Sequence, residues 1–133
     1  MAMNNTWNLA SLARMRGCSV RTSDGTDIGE IVSIVYEYAS ENPVWIGISP
    51  HHGLPFHTLL APIDGAIEEE GILQVAFSAD EIREEPPADL GEGFDSLTDQ
   101  RHLYDYFALA FDERTEIRVL RTGQDLPGSE SMF

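Results

Sequence analysis

The feature that most constrains this chain is the run Ile28 to Tyr38, IGEIVSIVYEY, dense in β-branched and aromatic residues and bounded by turn chemistry on both sides. Val32, Ile34, Tyr36 and Tyr38 alternate with Ser33 and Glu37, the period of two that sends successive side chains to opposite faces of a sheet. The run predicts one long strand. Gly29, near its start, is the natural place for a bulge, which would bend the strand and account for Ile31 and Val35, apolar on the other phase. Long bent strands suit small barrels.

Turns set the neighbours of this strand. Ser23-Asp24-Gly25-Thr26 supplies an aspartate to bond nearby amides and a glycine for positive φ, so Cys18 to Thr22 is expected to pair back as a hairpin. On the other side, Glu41-Asn42-Pro43 leads into Val44, Ile46 and Ile48, which alternate with Trp45 and Gly47 and stop before Pro50. Pro50 to Pro55 reads as a loop, Phe56 to Ala61 as an extended segment halted by Pro62, and Ala66–Glu69 and Ile72–Phe77 as strands around a Glu70-Gly71 turn. These make about six strands, and with no helix long enough for a crossover between them the sheet is expected to be mainly antiparallel.

The pattern changes at Ser78-Ala79-Asp80-Glu81, a capping-box sequence that opens a short helical turn ended by Pro86-Pro87. An acidic stretch, Glu84 to Asp95, leads to Ser96, which can cap a helix from Thr98 to about Ala110. Leu97, Leu103, Tyr104, Phe107 and Phe111 give that helix an apolar stripe for packing on the barrel. Glu116 to Leu120 is a candidate late strand, and Trp7 and Leu9 are candidates to dock on the body. The expected division is a flexible lead-in over residues 1–11, a barrel over 12–87, an acidic linker and packing helix over 88–111, and a tail over 112–133.

Composition narrows the functions. The 133 residues suffice for one domain. No apolar run reaches the roughly 20 residues that span a bilayer, and the first sixteen residues lack a signal-peptide core, so a cytoplasmic protein is expected. A single cysteine, Cys18, permits no disulfide within the chain. The 23 acidic residues against 8 arginines, with no lysine, give a formal charge of −15. Such a surface repels phosphates and anionic headgroups, which disfavours non-specific nucleic-acid or membrane binding and makes a basic partner the natural counterpart; a compositional bias that mainly keeps the protein soluble is an equally ordinary reading.

The runs Gly17-Cys18-Ser19-Val20, Asp24-Gly25 and Ile28-Gly29-Glu30-Ile31-Val32-Ser33-Ile34 together resemble the opening of a PRC-barrel domain: a glycine-led strand, a DG turn and an IG-containing strand. Leu59-Leu60-Ala61-Pro62-Ile63-Asp64 resembles the family's middle segment, and Ile72–Phe77, Ser78–Pro87 and the Leu97–Phe107 helix resemble its close and C-terminal extension. The resemblance implies a mainly β fold: a small six-stranded antiparallel barrel, SH3-like in shape, with a C-terminal helix. It also implies a non-enzymatic role in contacting a larger assembly, often as a homodimer.

Candidate sites are few. His51, His52 and His57 are the one metal-like cluster, although adjacent histidines diverge in extended backbone and a solvated loop is the more ordinary reading. Asp24, Gly25 and Gly29 are structural turn residues. Tyr36, Tyr38, Trp45, Leu54 and Phe56 are a candidate self-association set; strand aromatics are more often core, but a small barrel cannot enclose them all. The acidic runs Glu68-Glu69-Glu70 and Glu84-Glu85 read as solvated faces, and no nucleophile elbow or phosphate loop is present. The sequence thus favours a protein-interaction module that is not an enzyme, has no cofactor and is a homodimer. A small-ligand or metal-binding barrel using the His51–His57 loop is the alternative, and an acidic nucleic-acid mimic a weaker one.

Overall fold

The structure, a computed structural model, describes residues 7–50, 58–85, 97–112 and 114–121. It is mainly β, and Asp27–Glu37 is its organising strand, as the sequence predicts. In chain order the elements are α1 (Leu9–Ala13), β1 (Ser19–Arg21), β2 (Asp27–Glu37), β3 (Pro43–Pro50), β4 (Leu59–Pro62), β5 (Ile67–Glu69), β6 (Ile72–Gln74), α2 (Ala79–Arg83), α3 (Leu97–Tyr106) and β7 (Ile117–Arg121). Strands β1 to β6 form one sheet in the order β4-β3-β2-β1-β6-β5, and β7 also pairs with β2.

Two parts of the expected six-stranded antiparallel barrel need correction. The sheet has seven strands and is mixed and open. The seventh strand follows from the length of β2: β1 covers only its first residues, so β7 pairs with the remaining stretch from Ser33 to Glu37 on that edge. The parallel pair is β1 with β6, Val20 opposite Leu73. Strands so far apart in sequence need no crossover helix, because the intervening strands carry the chain around.

Bulges bend β2 where the sequence suggested and once beyond it. Opposite β1 the register slips at Ile28, next to Gly29. Gly29 has φ +156°, and a Cβ there would stand 2.1 Å from the Ser49 carbonyl oxygen on β3, so only glycine fits this crossing. A second slip, at Val32, puts Ile31 on one face while Ser33 and Val35 lie on the other. The apolar Val35 needs no bulge: both faces of the sheet are covered.

One core gathers Ile28, Ile31, Ile34 and Tyr36 of β2 with Ile46, Ile48, Ala61 and Leu73, sealed by Leu9 and Leu12 of α1 and by Ala79 and Ile82 of α2. The other joins Val35, Trp45 and Leu60 to Leu103, Tyr104 and Phe107 of α3. The helices are seated by their caps. Asn8 and Ser11 bond each other's backbone N–H at the start of α1, and Ser78 and Glu81 do the same for α2. Helix α1 straddles the boundary expected at residue 11, and Trp7 donates its indole N–H to the Ala66 carbonyl, so part of the expected lead-in is docked structure. The Glu70-Gly71 turn is as predicted: both residues have positive φ, +55° and +82°, and join Glu69 directly to Ile72.

Candidate functional site: an acidic cleft at the hairpin end

Three chain reversals meet at one end of the sheet: the β2–β3 hairpin, the bend after β4, and the C-terminus of α3. Between them lies a cleft of about 250 Å³ whose lining includes Glu37, Asn42, Val44, Ile63, Asp64, Tyr104 and Leu109. Each wall has a local cause. In the hairpin, Glu37 N–H donates to the Asn42 carbonyl at 2.9 Å, Glu41 turns the chain at φ +60°, and the Ser40 hydroxyl holds the Glu37 carboxylate at 2.9 Å. After Pro62, Ile63 N–H donates to the Val44 carbonyl at 2.9 Å, and Gly65, at φ +82°, turns Asp64 outward.

The third wall is the end of α3. Leu109 N–H donates to the Tyr104 carbonyl at 2.7 Å and Ala108 N–H to the Asp105 carbonyl at 3.1 Å, with Ala108 at φ +60°, the hydrogen-bond pattern of a Schellman cap. No basic side chain lies in the last helical turn, so the negative end of the helix dipole is uncompensated from within the helix. Tyr104, 8% exposed, packs edge-on against Trp45 at 5.3 Å and at a tilt against Phe111 at 5.1 Å. Burial raises its phenol pKa, the Trp45 indole lowers it and Glu37 raises it. The indole N–H lies beside the phenol oxygen but falls short of full hydrogen-bond geometry.

The electrostatics are one-sided. Arginines elsewhere face acids of their own: Arg21 with Glu69, Arg114 with Asp112, and Arg118 with Glu116, while Arg118 also stacks 4.1 Å from the Tyr38 ring. Among the described residues, neither Glu37 nor Asp64 is in an ion pair.

A second unusual group is Glu85, at the free edge of β4. Its Oε1 accepts the Leu60 N–H at 2.7 Å, standing in for the missing strand neighbour, while Oε2 is buried without a partner. Desolvation pushes its pKa from 4.5 up to about 8, against the lowering effect of the Leu60 N–H. The sequence reading placed Glu85 on a solvated face. The signal that would have found it is its position three residues after the buried Ile82, on the same side of the α2 turn.

The other residues singled out from sequence are placed as follows. Asp24 accepts the Thr22 hydroxyl, which lowers its pKa, and Gly25 takes φ +88° in the β1–β2 connection. Trp45 is fully buried and Tyr36 nearly so; within the chain both are core, Trp45 because α3 covers the second face of the sheet and Tyr36 because it joins the first core with Ile31 and Ile34. Tyr38 is 49% exposed and is the one described member of that aromatic set at the surface. His51, His52, Leu54, Phe56 and His57 lie outside the described residues. Among the described residues no group of three or more His, Cys, Asp or Glu is arranged to hold a metal ion, and no helix is long and apolar enough to cross a membrane.

No protein-family model matches the chain, and no curated protein matches it.

Proposed function

We propose that this chain is a non-enzymatic protein-interaction module of the PRC-barrel type, working without a cofactor in the cytoplasm, and that its partner is a basic protein. The observation that carries the reading is the cleft end of the sheet, where Glu37 and Asp64, neither of them in an ion pair among the described residues, lie beside the α3 C-terminus, whose last turn holds no basic side chain. Further support comes from the Asp24-Gly25 turn and the Ile28-Gly29 opening of β2, the segments on which the family resemblance rests. In this reading β1 to β6 are the six strands of the family's barrel, and β7 belongs to its C-terminal extension. A second copy of the chain is a poorer partner than a basic protein, since it would bring together two molecules of formal charge −15.

Affinity capture from the native lysate tests the reading, with wild type and a Glu37→Arg/Asp64→Arg double variant compared side by side. A stoichiometric basic partner retained by wild type and lost from the variant supports it. Identical capture by both proteins, or a partner of acidic character, overturns it.

A further inference from the structure

We infer that the chain associates head to tail with further copies of itself, the outer edge of β7 in one molecule pairing antiparallel with the outer edge of β5 in the next, Val119 opposite Glu68. This goes beyond the proposed function: it uses neither Glu37 nor Asp64 and does not depend on a basic partner.

The hydrogen bonds around each edge show which backbone groups point out. Tyr38 N–H donates to the Glu116 carbonyl at 2.8 Å, so by the alternation of a strand Arg118 and Leu120 turn their backbone groups to β2, and Ile117, Val119 and Arg121 turn theirs away. The Arg121 carbonyl, on that outer side, accepts the Arg16 guanidinium at 2.6 Å. Among the described residues β7 pairs only with β2, which leaves the N–H and C=O of Ile117 and Val119 without a strand neighbour. In the other strand, Val75 N–H donates to the Arg21 carbonyl at 2.9 Å, so Ile72 and Gln74 turn to β5, where Glu69 and Ile67 stand opposite them. The backbone of Glu68, between those two, points out. An open edge of this kind is a template for another strand.

The side chains select the partner and the register. Two copies of formal charge −15 repel as wholes, so contact is confined to surfaces whose local charges are complementary. Three of the eight arginines, Arg16, Arg118 and Arg121, stand at the β7 edge, and the strand itself holds no acid. Strand β5 is the counterpart. Its Ile67, Glu68 and Glu69 are all exposed, and Ile67, at 55%, is the most exposed large apolar side chain among the described residues. Val119 and Glu68 both point their N–H and C=O outward, so the two residues can exchange a pair of hydrogen bonds. In the antiparallel sense this sets Arg118 opposite Glu69 and Leu120 opposite Ile67, with Arg121 diagonal to Glu68 on the other face. The parallel sense would set Arg118 against Ile67 and Leu120 against Glu69. A second β7 would bring basic strands together and leave Ile67 in water. The contact joins two different surfaces, so it continues beyond two molecules.

The test is sedimentation velocity of the intact chain over a concentration series at about 0.15 M salt, which screens the repulsion between whole molecules. The expected result is an average mass that rises with concentration past that of a dimer. Val119→Pro removes an outward N–H and takes no bond from β2, and should abolish the rise. Arg118→Glu and Glu69→Arg should each weaken association by about fivefold or more. An equimolar mixture of those two variants puts opposite charges back at every junction and should recover the rise. Ile67→Ser, at an exposed side chain, should weaken association without lowering the melting temperature, which keeps the test valid should Glu69→Arg, which also loses its contact with Arg21, fail to fold.

A mass that stays that of one molecule up to about millimolar concentration overturns the pairing. So does a mixture of the two charge variants that fails to recover the rise, or association that Glu69→Arg and Ile67→Ser leave unchanged, which would mean β7 paired with a second β7 or a contact elsewhere. Each of these results leaves a basic partner at the cleft in place.

Discussion

The two faces of the sheet are closed in different ways. The first is packed with hydrocarbon from residues 9 to 82 and Leu120, elements that β2 collects as the chain winds around it. The second is covered by α3, and it carries the polar groups the fold leaves unmet. Ser33 Oγ and Trp45 Nε1, both buried without a hydrogen-bond partner, lie on this face, and Glu85 Oε2 lies at the β4 edge beside it. The acidic cleft opens at one end of the same face, below the C-terminus of α3. The first face holds the fold together, whereas local departures from ideal packing and bonding accumulate on the second, where a site is expected.

The comparison can be broken most directly through Glu85. Its folded pKa lies above the unfolded value, so its contribution to stability is complete below pH 4.5 and is lost as pH rises to about 8. The shift corresponds to on the order of 5 kcal/mol. Urea unfolding from pH 4 to 9 should show this fall in wild type and a much shallower one in Glu85→Gln. The difference between the two curves separates Glu85 from the general repulsion among the other acids. Equal slopes would show that this edge is open to water.

Next in size are core truncations on each face. Leu12→Ala and Phe107→Ala should each cost about 3 kcal/mol in chemical denaturation. Only Phe107→Ala should shift the fluorescence of Trp45, whose ring it meets edge-on at 5.6 Å. Loss of Trp45 packing in both variants would mean that the two cores act as one.

Smaller effects sharpen the contrast. Ser33→Ala removes a buried hydroxyl that has no partner and should raise stability by up to about 1 kcal/mol. A loss there would mean that the hydroxyl is satisfied. Ala108→Gly relieves a left-handed alanine at the α3 cap and should add about 0.5–1 kcal/mol, read as a rise in melting temperature.

Much of the first face was legible in the sequence, because its signals are local. The Asp24-Gly25 and Glu70-Gly71 turns, the alternation along β2 and the Ser78–Glu81 cap each depend on residues within a few positions of one another. The aromatic stripe of α3 was legible as a stripe, and Leu103, Tyr104 and Phe107 are buried as it implied. Which sheet face it would cover was not. The candidate site was barely legible. Glu37 read as the polar phase of a strand and Asp64 only as the end of the Leu59–Asp64 segment, and their convergence depends on β3 lying between them.

By itself, then, the sequence determined a mainly β chain built on one long bent strand, with glycines where the backbone must turn or pass another strand, and a strongly acidic surface. Only the tertiary structure decided that the sheet is mixed and open, that Trp45 is core, that Glu85 is half-buried with its Oε2 out of water, and that Glu37, Asp64 and Tyr104 share a cleft. The physical reason is range. Propensity, turn geometry and net charge are properties of neighbouring residues or of their sum, whereas desolvation, edge pairing and the meeting of distant side chains exist only once β2 has brought its partners together.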